Sequence, residues 1–571
     1  MRVFAALLLV GITFAQPPAA QPSKPPETAL KPEEKCKVSG QVVNLTTGEA
    51  VRRANLKLQP VGAGNEATAT SDADGKFEFT GVTPGRYRLN AEKQGFMQQA
   101  YGARTGSPGS ATPLQLAKGQ EMKGLTFKLT PHGIIAGRVL DDEGEPINMA
   151  IVQPLRYVYD RGRRQLIPSM GNASIFTNDQ GEYRLSGLQP GKYYVSATRM
   201  AVPGMPGIES TPAASPSGKP EESLVTTYYP NVLESSSASA VDLGPGAEIR
   251  AIDIRMRKSK TVRVKGKVVD TAGLPVSGAM VSMGKRDAGM SMPFMGASAM
   301  VTNGDFLLTG VVPGPYYATV IVTSGGSGPL MTRHRVDVGE DHLEGVVITL
   351  SKGWEIAGSV KIDGASESTA PAALKSIRAV LMPNEGFPMN VAQGQWKDDG
   401  TLLFKSVTPD IYRLELAGAP PNHYVKSVRY GTQDVTDAAI DLSAAVAGPI
   451  EIVLGADGGS ASGTVRTAKG DPVSGAAVTL LPKTQPAVRG DLFRTVYTDQ
   501  TGTFQMRGIA PGEYKLMAWE ELESGAEQDA QFRGAFERYA ADVKVGSSAT
   551  VTQSLEVISK DAVEAEKAKG K

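Results

Sequence analysis

Residues 72–87 carry the string DADGKFEFTGVTPGRY, and variants of this string return four more times along the chain. Full copies occupy residues 179–193 and 499–514, and looser copies occupy residues 303–316 and 398–412. Aspartate followed by glycine is typical of a hairpin turn, and the later proline and glycine are typical of a second turn. Each copy therefore predicts a strand between two turns, and the final tyrosine is expected to enter the next strand with its ring inward.

The prolines of the motif indicate how many domains the chain has. They lie 106, 123, 96 and 102 residues apart, which is the length of a domain and too long for a solenoid repeat. A glycine precedes each proline by 44 to 53 residues, so the strands are expected to keep one register. The residues assigned to this structural motif are Asp72, Gly75, Pro84, Tyr87, Asp179, Gly181, Pro190, Tyr193, Pro313, Tyr316, Pro409, Tyr412, Asp499, Gly502, Pro511 and Tyr514.

The spacing predicts an all-β chain of five tandem, seven-stranded antiparallel β-sandwiches arranged as beads on a string. About seven short strands per hundred residues, 64 glycines, 38 prolines and almost no helical periodicity favour this class. We call the predicted sandwiches modules 1 to 5. Their predicted bounds are residues 35–130, 132–258, 260–351, 353–456 and 459–558, with a long loop insertion at 201–223 in module 2.

The ends of the chain predict export. Residues 1–15 resemble a signal peptide, residues 16–34 a proline-rich linker, and residues 559–571 a charged, solvated tail. No later segment reaches the length of about 18 apolar residues that a membrane helix needs, so no transmembrane segment is expected after cleavage. The protein is thus predicted to cross the inner membrane and to be periplasmic, on the outer surface or extracellular.

The charge balance argues against a nucleic-acid-binding protein, and the cysteine content excludes a disulfide-stabilised one. The chain has 60 basic and 59 acidic residues, so no broad basic field is present to bind nucleic acid. Cys36 is the only cysteine, which excludes an intrachain disulfide framework.

The recurring strings resemble a known family. Glycine-x-valine, Asp-x-x-Gly-x-Phe and Gly-x-x-Pro-Gly-x-Tyr are similar to the carboxypeptidase regulatory-like domain, a transthyretin-like (prealbumin-like), CnaB-like β-sandwich with Greek-key connections. The resemblance is weakest in module 4, where Ser406 and Asp410 replace glycines. It implies an accessory module without catalysis.

Signatures of catalysis and metal binding are missing. None of the four histidines, His132, His334, His342 and His423, has the glutamate three residues later that a zinc carboxypeptidase requires. A calcium loop beginning at Asp72 would need further acids that the other copies lack. We therefore expect no catalytic residues, no cofactor and no metal site; Met290, Met292 and Met295 are weak candidates for Cu(I), and apolar filling is the alternative.

Candidate ligand contacts are aromatic side chains outside the motif. Tyr157, Tyr159, Trp354 and Trp396 could stack on sugar rings, whereas Trp519 is expected in a core. The predicted function is an exported, non-catalytic scaffold or adhesion-type binding protein whose partner is an unknown protein or polysaccharide of the cell envelope. A carbohydrate-binding accessory protein with a starch-binding-like fold is the alternative, and a hydrolase with an unrecognised site is the third hypothesis.

Overall fold

The computed structural model describes residues 34–61, 64–103, 111, 113–160, 163–169, 175–199, 221–286, 296–322, 330–364, 374–385, 391–444, 448–484, 489–523 and 525–569. The predicted signal peptide, almost all of the proline-rich linker, most of the module 2 insertion and the methionines Met290, Met292 and Met295 lie outside these residues.

The described part of the chain is almost entirely β-strand, which confirms the predicted all-β class. The strands of module 1 are β1 (Cys36–Asn44), β2 (Asn55–Pro60), β3 (Ala67–Thr70), β4 (Lys76–Val82), β5 (Gly85–Glu92), β6 (Gln99–Ala100), β7 (Leu114–Leu116) and β8 (Glu121–Leu129). Those of module 2 are β9 (Gly133–Leu140), β10 (Ala150–Asp160), β11 (Arg163–Pro168), β12 (Ile175–Phe176), β13 (Glu182–Leu188), β14 (Gly191–Arg199), β15 (Glu221–Val225), β16 (Thr227–Tyr228), β17 (Val241–Leu243), β18 (Glu248–Ile249) and β19 (Ile254–Arg255).

The remaining strands belong to modules 3 to 5. The strands of module 3 are β20 (Arg257–Asp270), β21 (Ala279–Lys285), β22 (Ser298–Met300), β23 (Asp305–Val311), β24 (Gly314–Val322), β25 (Leu330–Val338) and β26 (Leu343–Leu350). Those of module 4 are β27 (Trp354–Ile362), β28 (Arg378–Pro383), β29 (Ala392–Trp396), β30 (Leu402–Val407), β31 (Ile411–Ala417), β32 (Tyr424–Tyr430), β33 (Gln433–Asp434), β34 (Ile440–Asp441) and β35 (Ile450–Gly455). Those of module 5 are β36 (Gly459–Arg466), β37 (Ala477–Pro482), β38 (Arg494–Tyr497), β39 (Thr503–Ile509), β40 (Gly512–Trp519), β41 (Ala541–Val545) and β42 (Thr550–Ile558).

Helices are short and few within the described residues. The α-helices are α1 (Ala530–Gly534) and α2 (Lys560–Lys569), and 3₁₀ turns occupy Ser235–Ser237, Gly490–Leu492, Ala526–Gln528 and Glu537–Tyr539.

Buried apolar side chains form one cluster after another along the chain. Five such clusters lie within residues 36–129, 135–256, 262–350, 356–454 and 461–555. The alternation of buried and exposed residues along β4 and β5 shows how each forms: Phe77 and Phe79 point inward on β4, and Tyr87 and Leu89 point inward on β5. Each module therefore has its own hydrophobic core.

Each module closes with a parallel strand pair. The opening strand β1 pairs antiparallel with β4 and parallel with β8, and the opening strands of the other four modules do the same with their partners. This differs from the purely antiparallel sheets that the sequence predicts. The opening and closing strands are joined through the second sheet, and such a long crossover permits parallel pairing.

In four of the five modules, the glycine that opens the repeat allows this pairing. A Cβ atom at Gly40 would overlap the carbonyl oxygen of Leu125 on β8, and one at Gly137 would overlap that of Ile252. Gly266 and Gly463 face their closing strands in the same way. Glycine is therefore required because the two backbones approach too closely for any side chain.

The modules are joined more closely than independent beads would be. The predicted boundary at residues 258–260 falls inside β20, which runs without interruption from module 2 into module 3 and pairs with β15. Modules 2 and 5 also meet, since the Tyr159 ring lies 6.3 Å from that of Phe532 and Lys192 Nζ lies 3.7 Å from a Glu564 oxygen.

Part of the predicted charged tail forms a helix that packs on module 5 through one buried residue. Residues 560–569 form α2, and Val563 is 4% exposed because it packs in a cluster with Trp519 and Phe536. Lys560 Nζ lies 2.8 Å from a Glu521 oxygen at the start of this helix. The charged residues of the tail thus surround one apolar contact that secures the helix to module 5.

Candidate functional site

The acidic residues of the repeated motif hold turns. The Asp72 carboxylate accepts hydrogen bonds from the backbone N–H groups of Asp74 (3.0 Å) and Lys76 (2.7 Å). Asp499 accepts from Thr501 and Thr503, both at 2.9 Å. Their oxygen atoms therefore serve the local backbone, as expected for turn residues.

Module 2 requires a correction. The turn is held by Asn178, whose side-chain oxygen accepts from the N–H groups of Gln180 (3.0 Å) and Glu182 (2.8 Å), and not by Asp179. An amide oxygen accepts these bonds as a carboxylate oxygen does, so the turn keeps its geometry without an acid at this position.

The motif tyrosines have one role in all five modules. Each hydroxyl donates a hydrogen bond of 2.8–3.0 Å to the carbonyl oxygen four residues earlier, next to the motif proline. The pairs are Tyr87 with Thr83, Tyr193 with Gln189, Tyr316 with Val312, Tyr412 with Thr408 and Tyr514 with Ala510. Burial raises the pKa of Tyr412 to about 12, so this hydroxyl stays protonated over the physiological range. These hydrogen bonds therefore connect the turn at the motif proline to the strand whose tyrosine ring lies in the core.

Metal-binding geometry is absent from the described ranges. No group of three or more His, Cys, Asp or Glu side chains within them comes close enough to hold a metal ion. None of the helices described is both long and apolar enough to cross a membrane.

The structure does not bring the four predicted ligand-contact residues together. Trp354 and Trp396 pack against the core of module 4, and Trp396 Nε1 donates to the Ile377 carbonyl oxygen at 2.9 Å. Tyr159 packs beside Phe532 of module 5. Tyr157 lines a large cavity.

That cavity lies between modules 2 and 3 and has a volume of about 1070 Å³. One wall is formed by Gln153, Leu155 and Tyr157, which alternate along β10 and therefore share the sheet face that points away from the module 2 core. The facing wall includes Met283, and β15 with its partner β20 crosses between the two modules. We call this space the inter-module cavity.

The ring of Tyr157 is held in place by its neighbours. The Arg164 guanidinium lies 3.8 Å from the ring centre, and the Tyr194 ring is edge-on at 4.9 Å. Burial raises the pKa of the Tyr157 hydroxyl, which therefore remains able to donate and accept hydrogen bonds. Tyr157 is thus a fixed polar contact, and not the open stacking platform that the sequence predicts.

Charges in the cavity wall are paired across the module boundary. Lys258 Nζ lies 2.9 Å from an Asp142 oxygen, and Arg263 forms an ion pair with Glu221. The Lys258 ammonium lowers the pKa of Asp142 by hydrogen bonding, so the pair stays ionised. These pairs hold β20 against module 2.

Sequence reasoning missed most of this site. Asp142, Glu221 and Arg263 belong to no motif and lie far apart in the chain. The available signal was the continuous strand pattern across residues 257–270, which the predicted boundary divides.

Comparison with known proteins places two modules in a family. The carboxypeptidase regulatory-like domain family matches residues 37–130 and 460–555. No curated protein matches the chain in sequence.

Solved structures with similar folds share little sequence with this chain. A minor pilin of Streptococcus agalactiae is 14% identical over 39% of this chain and 96% of its own, with a TM-score of 0.22. The major pilin subunit of Bacillus cereus is 11% identical over 56% of this chain and 100% of its own, with a TM-score of 0.14. A candidate carbohydrate-binding protein of Bacteroides uniformis is 14% identical over 37% of this chain and 99% of its own, with a TM-score of 0.14. Two segments of this nearly all-β chain, residues 37–130 and 460–555, thus match the carboxypeptidase regulatory-like domain.

Proposed function

We propose that this protein is an exported, non-catalytic scaffold or adhesion-type binding protein of five tandem modules. It acts in the periplasm, at the outer surface or outside the cell, where its partner is a protein or polysaccharide of the cell envelope. The observation that carries this proposal is the use of the repeated motif: in every module the tyrosine hydroxyl is bonded to the backbone beside the motif proline. The repeated residues serve folding, and recognition is left to residues that differ between modules.

Direct contacts between modules support a scaffold role. Arg333 of module 3 pairs with Asp410 of module 4, and their side chains are 9% and 11% exposed. Arg489 of module 5 reaches Asp437 of module 4 at 3.1 Å and donates to the Val425 carbonyl oxygen at 3.1 Å. Such contacts restrict the angles between modules, as a scaffold requires.

The non-catalytic proposal is tested by incubating the purified mature chain with peptide, ester and glycoside substrates, with and without a chelator. We expect no turnover above the buffer blank. Turnover that a chelator abolishes would establish a metal-dependent hydrolase, and turnover that survives chelation would support the third hypothesis, a hydrolase with an unrecognised site.

Carbohydrate binding is a second candidate function. The specific observation in its favour is the inter-module cavity, whose lining includes ten serine and threonine residues together with Tyr157. Side-chain hydroxyls of this kind pair readily with the hydroxyls of a sugar.

A further inference from the structure

The size of the inter-module cavity suits a ligand of several units. Its volume of about 1070 Å³ lies just above the range of about 300–1,000 Å³ that is typical of small-molecule pockets. Because the cavity lies between two modules, a ligand that fills it contacts both.

The charge of the lining selects against a charged ligand. Five acidic and five basic side chains line the cavity: Asp141, Asp142, Glu221, Glu222 and Glu234, and Arg164, Arg199, Lys258, Arg263 and Lys285. The Lys258–Asp142 and Arg263–Glu221 pairs already satisfy two charges of each sign. A charged ligand would have to lose its hydration without gaining a surplus of opposite charge, which is unfavourable.

One buried polar atom in the lining, His342 Nε2, has hydrogen-bonding capacity left over. His342 Nδ1 accepts from the Arg263 backbone N–H at 3.1 Å, so the proton of the neutral ring lies on Nε2. That Nε2 atom is buried and has no partner among the described residues. A buried donor without a partner is costly, and a ligand oxygen would remove that cost.

We propose that the inter-module cavity binds a neutral oligosaccharide, with His342 Nε2 donating to a sugar oxygen and the Tyr157 hydroxyl pairing with a sugar hydroxyl. This inference deepens the carbohydrate-binding function proposed above and rests on it. A neutral sugar chain matches the balanced charge, the serine- and threonine-rich lining and the volume of the cavity. An extended peptide is the competing occupant, because the edge strands β11 and β15 also line the cavity.

The test is isothermal titration of the full mature chain with defined probes. The neutral probes are starch-type, cellulose-type and chitin-type hexasaccharides; a galacturonate hexasaccharide is the charged probe, and an uncharged peptide rich in serine and threonine is the peptide probe. We expect saturable binding of at least one neutral sugar and of neither other probe.

Variants then locate the site. Tyr157→Phe removes one hydroxyl, and His342→Asn keeps an acceptor near the Nδ1 position while removing the Nε2 donor. Each is expected to weaken sugar binding about fivefold, the loss of one hydrogen bond. Tyr159→Phe is the matched control, because Tyr159 is on the same strand but packs against module 5; its affinity should equal that of the wild type. Circular dichroism and the melting temperature show whether each variant is folded.

The possible results distinguish the cavity assignment from the carbohydrate-binding function on which it rests. Sugar binding that survives both cavity variants but is lost in Trp354→Ala or Trp396→Ala would overturn the cavity assignment and leave carbohydrate binding standing. Binding of the peptide or the galacturonate in place of neutral sugars, or no binding of any probe, would overturn both the cavity assignment and the carbohydrate-binding function. Neither result bears on whether the chain is catalytic, which the turnover assay measures separately.

Discussion

The ion pair between Arg333 and Asp410 is expected to fix module 3 against module 4. Asp410 stands where the other modules have a glycine after the motif proline, and its side chain is 11% exposed. Arg333 also donates to the Glu385 carbonyl oxygen at 2.6 Å and lies 4.5 Å from the Tyr317 ring centre. The Tyr317 hydroxyl in turn donates to a Glu385 carboxylate oxygen at 2.7 Å.

Asp410→Asn leaves the Arg333 charge buried without its carboxylate. Removing one partner of a buried ion pair costs about 3–5 kcal/mol. Arg333 keeps its carbonyl and ring contacts, so we expect the lower end, about 3 kcal/mol, which reduces the equilibrium constant for module contact more than a hundredfold. Arg333→Gln combined with Asp410→Asn should cost less than Asp410→Asn alone, because no unpaired charge remains.

Spin labels can measure this effect. The chain has one cysteine, so a Cys36→Ala background with Leu307→Cys on module 3 and Lys405→Cys on module 4 provides two exposed labelling sites. We expect a narrow distance distribution in this background and a broad one after Asp410→Asn. Asp337→Asn is the matched control, since the Arg286–Asp337 pair lies within module 3 and Asp337 is 77% exposed. An unchanged distribution in Asp410→Asn would refute the reasoning.

Three further predictions concern the motif and the contact between modules 2 and 5. Tyr514→Phe should cost about 1 kcal/mol through the lost bond to Ala510, lowering the melting temperature of module 5 by about 4–8 °C in calorimetry; no change would show that the bond does not stabilise the fold. Tyr412 has a pKa of about 12 when folded, against about 10 when unfolded, so its contribution to stability is full below pH 10 and falls by about 3 kcal/mol in total as the pH rises through 12; urea unfolding should show this slope, and Tyr412→Phe should flatten it. Tyr159→Ala should expose Phe532 and increase amide exchange around α1 without changing exchange in module 1; protection that stays as in the wild type would contradict the contact.

Local chemistry made the turns predictable. An aspartate or asparagine followed by a glycine at the right distance needs only its own backbone to form a turn, so the string at Asp72 was sufficient. The same reasoning failed by one residue in module 2, where it selected the acid Asp179 and overlooked the equivalent acceptor Asn178.

Long-range contacts could not be predicted in the same way. The parallel pairing of β1 with β8 depends on a connection through the other sheet, and no local pattern encodes it. Asp410 looked like divergence from the family motif, although its carboxylate binds Arg333. Val563 is the only large apolar residue of α2. The sequence therefore has no helical periodicity of apolar residues that would predict the packing of α2 on module 5.

The candidate site was predictable only through Tyr157. The sequence marked Tyr157 on β10 as a candidate ligand contact, but the position of this residue between two modules follows from the strand β20 that joins them. From the sequence, His342 was considered only as a possible zinc ligand. Its free Nε2 donor depends on the bond that the Arg263 backbone makes to Nδ1.

Binding without turnover is the central claim, and one mixture can test it. The purified mature chain is incubated with a labelled cell-envelope polysaccharide; co-sedimentation measures binding, and mass spectrometry of the same sample measures the length of the polysaccharide. We predict saturable binding with the polysaccharide unchanged. Shortened polysaccharide would contradict the non-catalytic account, and the absence of saturable binding to both envelope polysaccharide and envelope protein would contradict the binding account.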